Sequence, residues 1–211
     1  MNSDKQIDPV VVLSAVDPRL HESLVAWIKF GTVFIVYRIG SYLLFDAGRT
    51  DKPLFDMEMI RLVVFVLIGF TLYYLLVKPY VPFPEHDLIL RNTINDTLMF
   101  STVLIVTQFL ESYMNNTPFL TEQWVKNSSL ILLSFIIYNV FVSPFIPRKN
   151  IPLKDLPMVN NLAKYGFFMI ILRILEGKSL LDVKWIASVV LVLIGFLAYF
   201  YGTQKIVRIS Y

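Results

Sequence analysis

Three stretches of this chain run 16, 21 and 20 residues without a charged side chain: Leu62–Val77, Asn127–Pro147 and Trp185–Gln204. A helix that crosses a bilayer needs about 20 mostly apolar residues. The second and third stretches meet that length outright, and the first meets it once Met57–Ile60 is added, Glu58 included. The composition agrees. Of 211 residues, 56% are hydrophobic and 17% charged, against about 45–50% and about 25% in soluble domains. A soluble enzyme and a disordered chain are both excluded.

Three weaker segments lie between and before the strong ones. Ser23–Phe45 carries Lys29 and Arg38, Thr93–Tyr113 carries Asp96 and Glu111, and Met158–Gly177 carries Lys164, Arg173 and Glu176. Each is apolar enough to enter a membrane only against other protein. An internal repeat decides between three spans and six. Phe30–Arg38 aligns with Phe100–Gln108 and with Tyr165–Arg173. Val63–Tyr73 matches Val189–Tyr199 at 8 of 11 positions, and the middle copy keeps Ser134-Phe135-Ile136-Ile137-Tyr138. A small residue, Phe, two variable positions and Tyr therefore recur three times. The exits Val77–Pro82 and Val142–Pro147 match as well. Apolar bias alone does not place Gly, Tyr, Pro and Arg in register.

The expected fold is thus an all-α polytopic bundle. Six transmembrane helices form three tandem hairpins, at about 21–82, 90–147 and 156–205, behind a soluble tail at 1–20. The acidic start and the break Asp17-Pro18-Arg19 do not suit a cleaved signal peptide. The weak helices are expected to line the interior and the strong helices to face lipid.

Charge sets the orientation. The tails and the loops between hairpins hold nine Lys/Arg, and the loops within hairpins hold three, or six with Arg61, Lys126 and Lys184 counted; Lys29 and Lys164 then join the first side. Positive charge stays cytoplasmic, so both termini are expected on that face. Trp124 and Trp185 fall at the opposite interface, where indoles anchor. Two sequons, at Asn115 and Asn127, lie near that face. The basic residues form no runs, which sets nucleic acid aside. The absence of cysteine removes thiolate sites, and His21 and His86 are too few for a metal centre. No cofactor is expected.

Several residues stand out as candidates. Arg38 and Arg173 share a repeat position with Gln108, and a cation inside a span is costly. They read either as a solute pathway or as a clasp between inner helices, with Glu176 three residues after Arg173 as its neighbour. Glu111 and Glu176 share another position, with Ser41 as the third. Gly69 and Tyr73, Ser134 and Tyr138, and Gly195 and Tyr199 each lie four apart on one face. They suggest close helix approach with a hydroxyl bonding across, and Gly202 with Ala198 adds a further small pair.

Three two-helix repeats also occur in mitochondrial carriers, but the Pro-x-Asp/Glu-x-x-Lys/Arg motif of that family is missing where Phe45-Asp46, Ser112-Tyr113 and Gly177-Lys178 end the odd helices. Through its cysteine-free composition, rich in Ile, Phe, Tyr and Asn, and segments such as Leu130–Asn139 and Tyr165–Ile174, the chain resembles the small polytopic inner-membrane proteins of large DNA virus virions. That resemblance implies a structural role, with loops and tails anchoring capsid components. The expected function is a non-enzymatic membrane scaffold whose partners are the bilayer and other proteins of an assembly. The alternative is a small transporter or channel with a polar cavity lined by Arg38, Gln108, Arg173 and Glu176.

Overall fold

The computed structural model describes residues 17–46, 53–146, 151–152 and 155–203. Most of the expected soluble tail lies outside the described residues, as do Lys5, Arg49, Lys52, Arg148, Lys149, Lys154, Lys205 and Arg208 of the charge count.

Six helices make up the described chain, each long and apolar enough to cross a membrane. Helix α1 runs Pro18–Ser41 and continues as a π turn, Tyr42–Asp46. Helix α2 is Met57–Leu72, α3 is Leu88–Asn115 and α4 is Glu122–Ile137. Helix α5 is Leu156–Leu175 and α6 is Val183–Ala198. The weak segments form helices long and apolar enough to span. Counting the π turn after α1, they have 29, 28 and 20 residues, or about 43, 42 and 30 Å at 1.5 Å per residue, against a hydrocarbon core of about 30 Å.

The second helix of every hairpin starts and ends alike. Asp56, Thr121 and Asp182 cap α2, α4 and α6, each accepting a hydrogen bond from the backbone N–H of the third residue on: Met59, Trp124 and Trp185. Such a cap satisfies one of the unpaired donors at a helix start. At the other end each helix widens into a π turn that begins on the repeat tyrosine: Tyr73–Val77, Tyr138–Val142 and Tyr199–Thr203. In the first two hairpins Pro79 and Pro144 follow in a single 3₁₀ turn, Lys78–Tyr80 and Ser143–Phe145. Proline has no N–H to continue the ladder, so the helix stops there.

The hairpins close into a ring. Each second helix packs on the first helix of the next hairpin: α2 on α3, α4 on α5, and α6 back on α1. Six aromatic rings, one from each helix, mark the closure. Phe30 stacks on Phe70, Phe100 on Phe135 and Tyr165 on Phe196, with centroids 4.5, 4.1 and 4.5 Å apart. Between these pairs Phe70 meets Phe100 edge-on at 6.4 Å, Phe135 meets Tyr165 at 6.3 Å and Phe196 meets Phe30 at 6.3 Å. Stacked and edge-on contacts thus alternate around the axis. Both geometries suit the ring quadrupole, at about 0.5–1.5 kcal/mol per pair beyond burial. Tyr165 also touches Phe30 and Phe100 across the centre, at 5.8 and 6.5 Å.

The strong helices do not simply face lipid, as hydropathy suggested. They supply Phe70, Tyr73, Phe135, Tyr138, Phe196 and Tyr199, all 2% exposed or less. In a ring of six, every helix must bury one stripe. Apolar residues on the outer face raise the hydropathy of a helix without moving it outward.

Candidate functional site

Glycine sets two of the three junctions between hairpins. A Cβ on Gly69 would lie 2.8 Å from the Val103 Cα, and one on Gly195 would lie 2.8 Å from the Val33 Cα. Val33 and Val103 are themselves repeat equivalents. The missing side chain therefore brings two backbones together at the same place twice. At the third junction Ser134 is fully buried and donates to its own Leu130 carbonyl, while Phe135 stacks on Phe168 at 4.3 Å. Tyr73 bonds across to Asn95 Oδ1 at 2.9 Å. Gly202 departs from expectation: a Cβ there would meet nothing within 4 Å, because the chain has already entered its last π turn.

The repeat position of Arg38, Gln108 and Arg173 is a loop clasp, not a path or a link between inner helices. Arg38 donates from Nε to the Leu54 carbonyl (2.6 Å) and from Nη2 to the Pro53 carbonyl (2.9 Å), with Asp46 at 3.8 Å. Gln108 Nε2 donates to the Phe119 carbonyl at 2.9 Å and to Ser112. Arg173 donates from Nε to the Ser179 carbonyl and from Nη2 to Asp182 Oδ2, at 3.0 and 2.9 Å. Leu54 and Phe119 each stand two residues before their helix cap, so the first two clasps hold the same carbonyl. Each long side chain ties down the turn of its own hairpin.

The acidic candidates separate. Glu176 pairs with Lys178 at 2.9 Å and not with Arg173, whose guanidinium is taken by the loop. Glu111 is half-buried and forms no ion pair among the described residues. Among the described residues, Arg38, Gln108, Arg173 and Glu176 each bond within their own hairpin. Trp124 packs beside Phe119, with centroids 6.0 Å apart. The Arg173 guanidinium lies 5.6 Å over the ring of Trp185. Both indoles thus brace the loop ends of α4 and α6. Hydrogen bonds from the Trp185 and Lys184 backbone N–H groups and from Arg173 hold the Asp182 carboxyl below its ordinary value.

The polar centre of the molecule lies at the other end. Asp96 of α3 is 2% exposed. Lys164 of α5 reaches its two oxygens at 2.9 and 2.8 Å, and Asn139, on the π turn after α4, donates to Oδ2 at 2.8 Å. Both Asp96 and Lys164 lie eight residues into their helices, about 12 Å along the axis. Three helices from two hairpins thus meet on one carboxylate. A buried ion pair persists only when further hydrogen bonds complete it, and Asn139 supplies one. Lys29, the repeat counterpart of Lys164, lies within electrostatic reach of both partners and 5.0 Å from the centroid of the Phe30 ring.

Sequence reasoning saw these charges singly and did not join them. Asp96, Asn139 and Lys164 are 43 and 68 residues apart and occupy no shared repeat position, so no spacing pointed to a cluster. The usable signal was that Lys29 and Lys164 share a register. Trp27 was missed as well; its Nε1 donates to the Leu67 carbonyl and Thr71 Oγ1, both at 3.0 Å, closing the first hairpin. Comparison with protein-family models, with curated proteins and with solved structures returns no match for this chain.

Proposed function

We propose that the protein is a non-enzymatic scaffold of a membrane, with both termini on the cytoplasmic face and its hairpin-joining loops and tails as contact surfaces for other proteins. The observation that carries this reading is the closed aromatic cycle. Tyr165 touches Phe30 and Phe100 across the centre, and Phe70, Phe135 and Phe196 complete the cycle around them. A bundle packed solid through its middle suits a rigid anchor. Arg38 and Arg173, the arginines that would mark a pathway, are spent on loop turns. The Lys/Arg balance supports the orientation. The resemblance to virion inner-membrane proteins makes capsid components the proposed partner class.

Two measurements test the reading together. Gentle purification from native membranes is expected to recover the protein in fixed ratio with a larger assembly. Proteoliposomes are expected to show no solute flux. Flux that disappears in Lys164→Met or Asp96→Asn would replace the scaffold by a transporter working through the polar centre.

A further inference from the structure

One of the places where the threefold relation breaks leaves a charge without an ion-pair partner among the described residues. Lys164 is neutralised by Asp96 of the preceding hairpin. In the next step around the ring Lys29 has the place of Lys164, and the place of Asp96 belongs to Asn161. That residue is neutral, and its amide donates to its own Pro157 carbonyl at 2.7 Å. Lys29 has no carboxylate within ion-pair distance among the described residues. Lys29, Lys164 and Asp96 together leave one uncompensated positive charge inside the spans, which is costly unless an anion meets it.

Space lies beside that charge. A cavity of about 440 Å³ is lined by Ala26, Lys29 and Asn95 at depth and by His21, Glu22 and Lys78 toward the helix ends. Ala26 occupies in α1 the position that Asp96 occupies in α3. Ala26 is packed in the core with Phe70 and Tyr73 and lines the cavity without a carboxylate, one turn from Lys29. A neighbouring cavity of about 320 Å³ shares Glu22 and Lys78 and adds Arg19 at the start of α1. Glu22 and Lys78 pair at 2.6 Å and cancel, so Lys29 and Arg19 leave the combined space positive.

We propose that this cavity binds a phosphate-type oxyanion, seated between Lys29 and the Asn95 amide over Ala26, with Lys78 at its mouth. Several donors around one space suit a group with several charged oxygens, and the volume exceeds what one carboxylate fills. A phospholipid headgroup and a soluble phosphate share this chemistry. The proposal is independent of the scaffold reading.

The test uses the full chain in phosphatidylcholine nanodiscs. Thermal unfolding is followed while inorganic phosphate is titrated, and in parallel discs that also contain phosphatidic acid. A rise in Tm with phosphate supports a soluble ligand, and a rise confined to phosphatidic acid discs supports a headgroup. No rise in either arm overturns the proposal. Lys29→Met installs the residue that the second hairpin carries, Met99, and is expected to weaken binding at least about tenfold, the scale of one charged contact. Undiminished binding would overturn the proposal. Glu22→Gln removes the carboxylate facing the anion and is expected to tighten binding several-fold. That variant decides the matter if Lys29→Met fails to fold, because unchanged or weaker binding in Glu22→Gln also counts against the site.

Discussion

The two ends of the bundle handle the same threefold pattern in opposite ways. At the loop end, positions 38, 108 and 173 all carry a long donor, and all three tie the donor to the turn of their own hairpin. At the opposite end, positions 29, 99 and 164 carry Lys, Met and Lys, and positions 26, 96 and 161 carry Ala, Asp and Asn. There one lysine finds a buried carboxylate and the other faces a cavity. Closing a hairpin turn is a task that every copy shares, so the residue type persists. Neutralising a charge within the ring is needed only where a charge stands, and the copies have diverged around it.

The largest effect should come from the asymmetric end. Asp96→Ala leaves Lys164, whose side chain is 24% exposed, unpaired inside the bundle and should cost about 3 kcal/mol, read as a fall in unfolding free energy in detergent. Adding Lys164→Met should recover most of it. Asn161→Ala, at the same repeat position, should cost under about 1 kcal/mol, since its bond is to its own helix. Equal losses at the two positions would erase the contrast between the ends.

The junction glycines should come next, with paired values. Gly69→Val and Gly195→Val each drive a side chain into a valine backbone and should cost about 1–3 kcal/mol or more. The two losses should agree within error, whereas Gly202→Ala should leave the thermal midpoint unchanged. The clasps should be milder. Arg38→Gln and Arg173→Gln copy the residue of the second hairpin and should each cost about 1 kcal/mol, the scale of a single lost hydrogen bond. The Leu variants should cost more, because the loop carbonyls then lose their donors. Protease cleavage within the loops, compared across the four variants, reports the effect directly.

The smallest effect is one of pH. The Asp182 carboxyl is held below its ordinary value near 3.8 by the Trp185 and Lys184 backbone N–H groups and by Arg173. A depressed acid contributes stability above its unfolded value and loses it as pH falls through the folded one. Asp182→Asn should therefore lower the thermal midpoint at neutral pH and narrow the gap between neutral pH and pH values below about 3.8. An unchanged gap would mean that the cap at this loop adds nothing.

These contrasts explain how much could be read before the structure. The span count, the hairpin pairing and the small-Phe-x-x-Tyr register were legible because they rest on residues whose shape matters locally and is repeated. Phe70, Phe135 and Phe196 were visible as a recurring position, although nothing in one dimension says that three such residues alternate with Phe30, Phe100 and Tyr165 in a closed cycle. The arginines looked like a pathway because a cation in an apolar segment is conspicuous. Their partners include Asp46 and Asp182, but the contact that the two arginines share is with loop backbone carbonyls, which every sequence has and none displays. The Asp96 centre was illegible for a different reason: its three side chains come from α3, α5 and the turn after α4, and only the ring closure brings them together.

Ring closure also sets an order of events during synthesis. Among the described residues α1 finds its most extensive packing on α6, so α1 must wait in the bilayer with one flank uncovered until α6 is inserted. At about 5–20 residues per second of elongation, that wait lasts several seconds or longer. During this interval the Val33 stripe and the edge of Phe30 are open to lipid or to another nascent copy. A chaperone of membrane insertion, or exchange of α6 between two chains, would act in this window, and a truncation after α5 should extend it indefinitely.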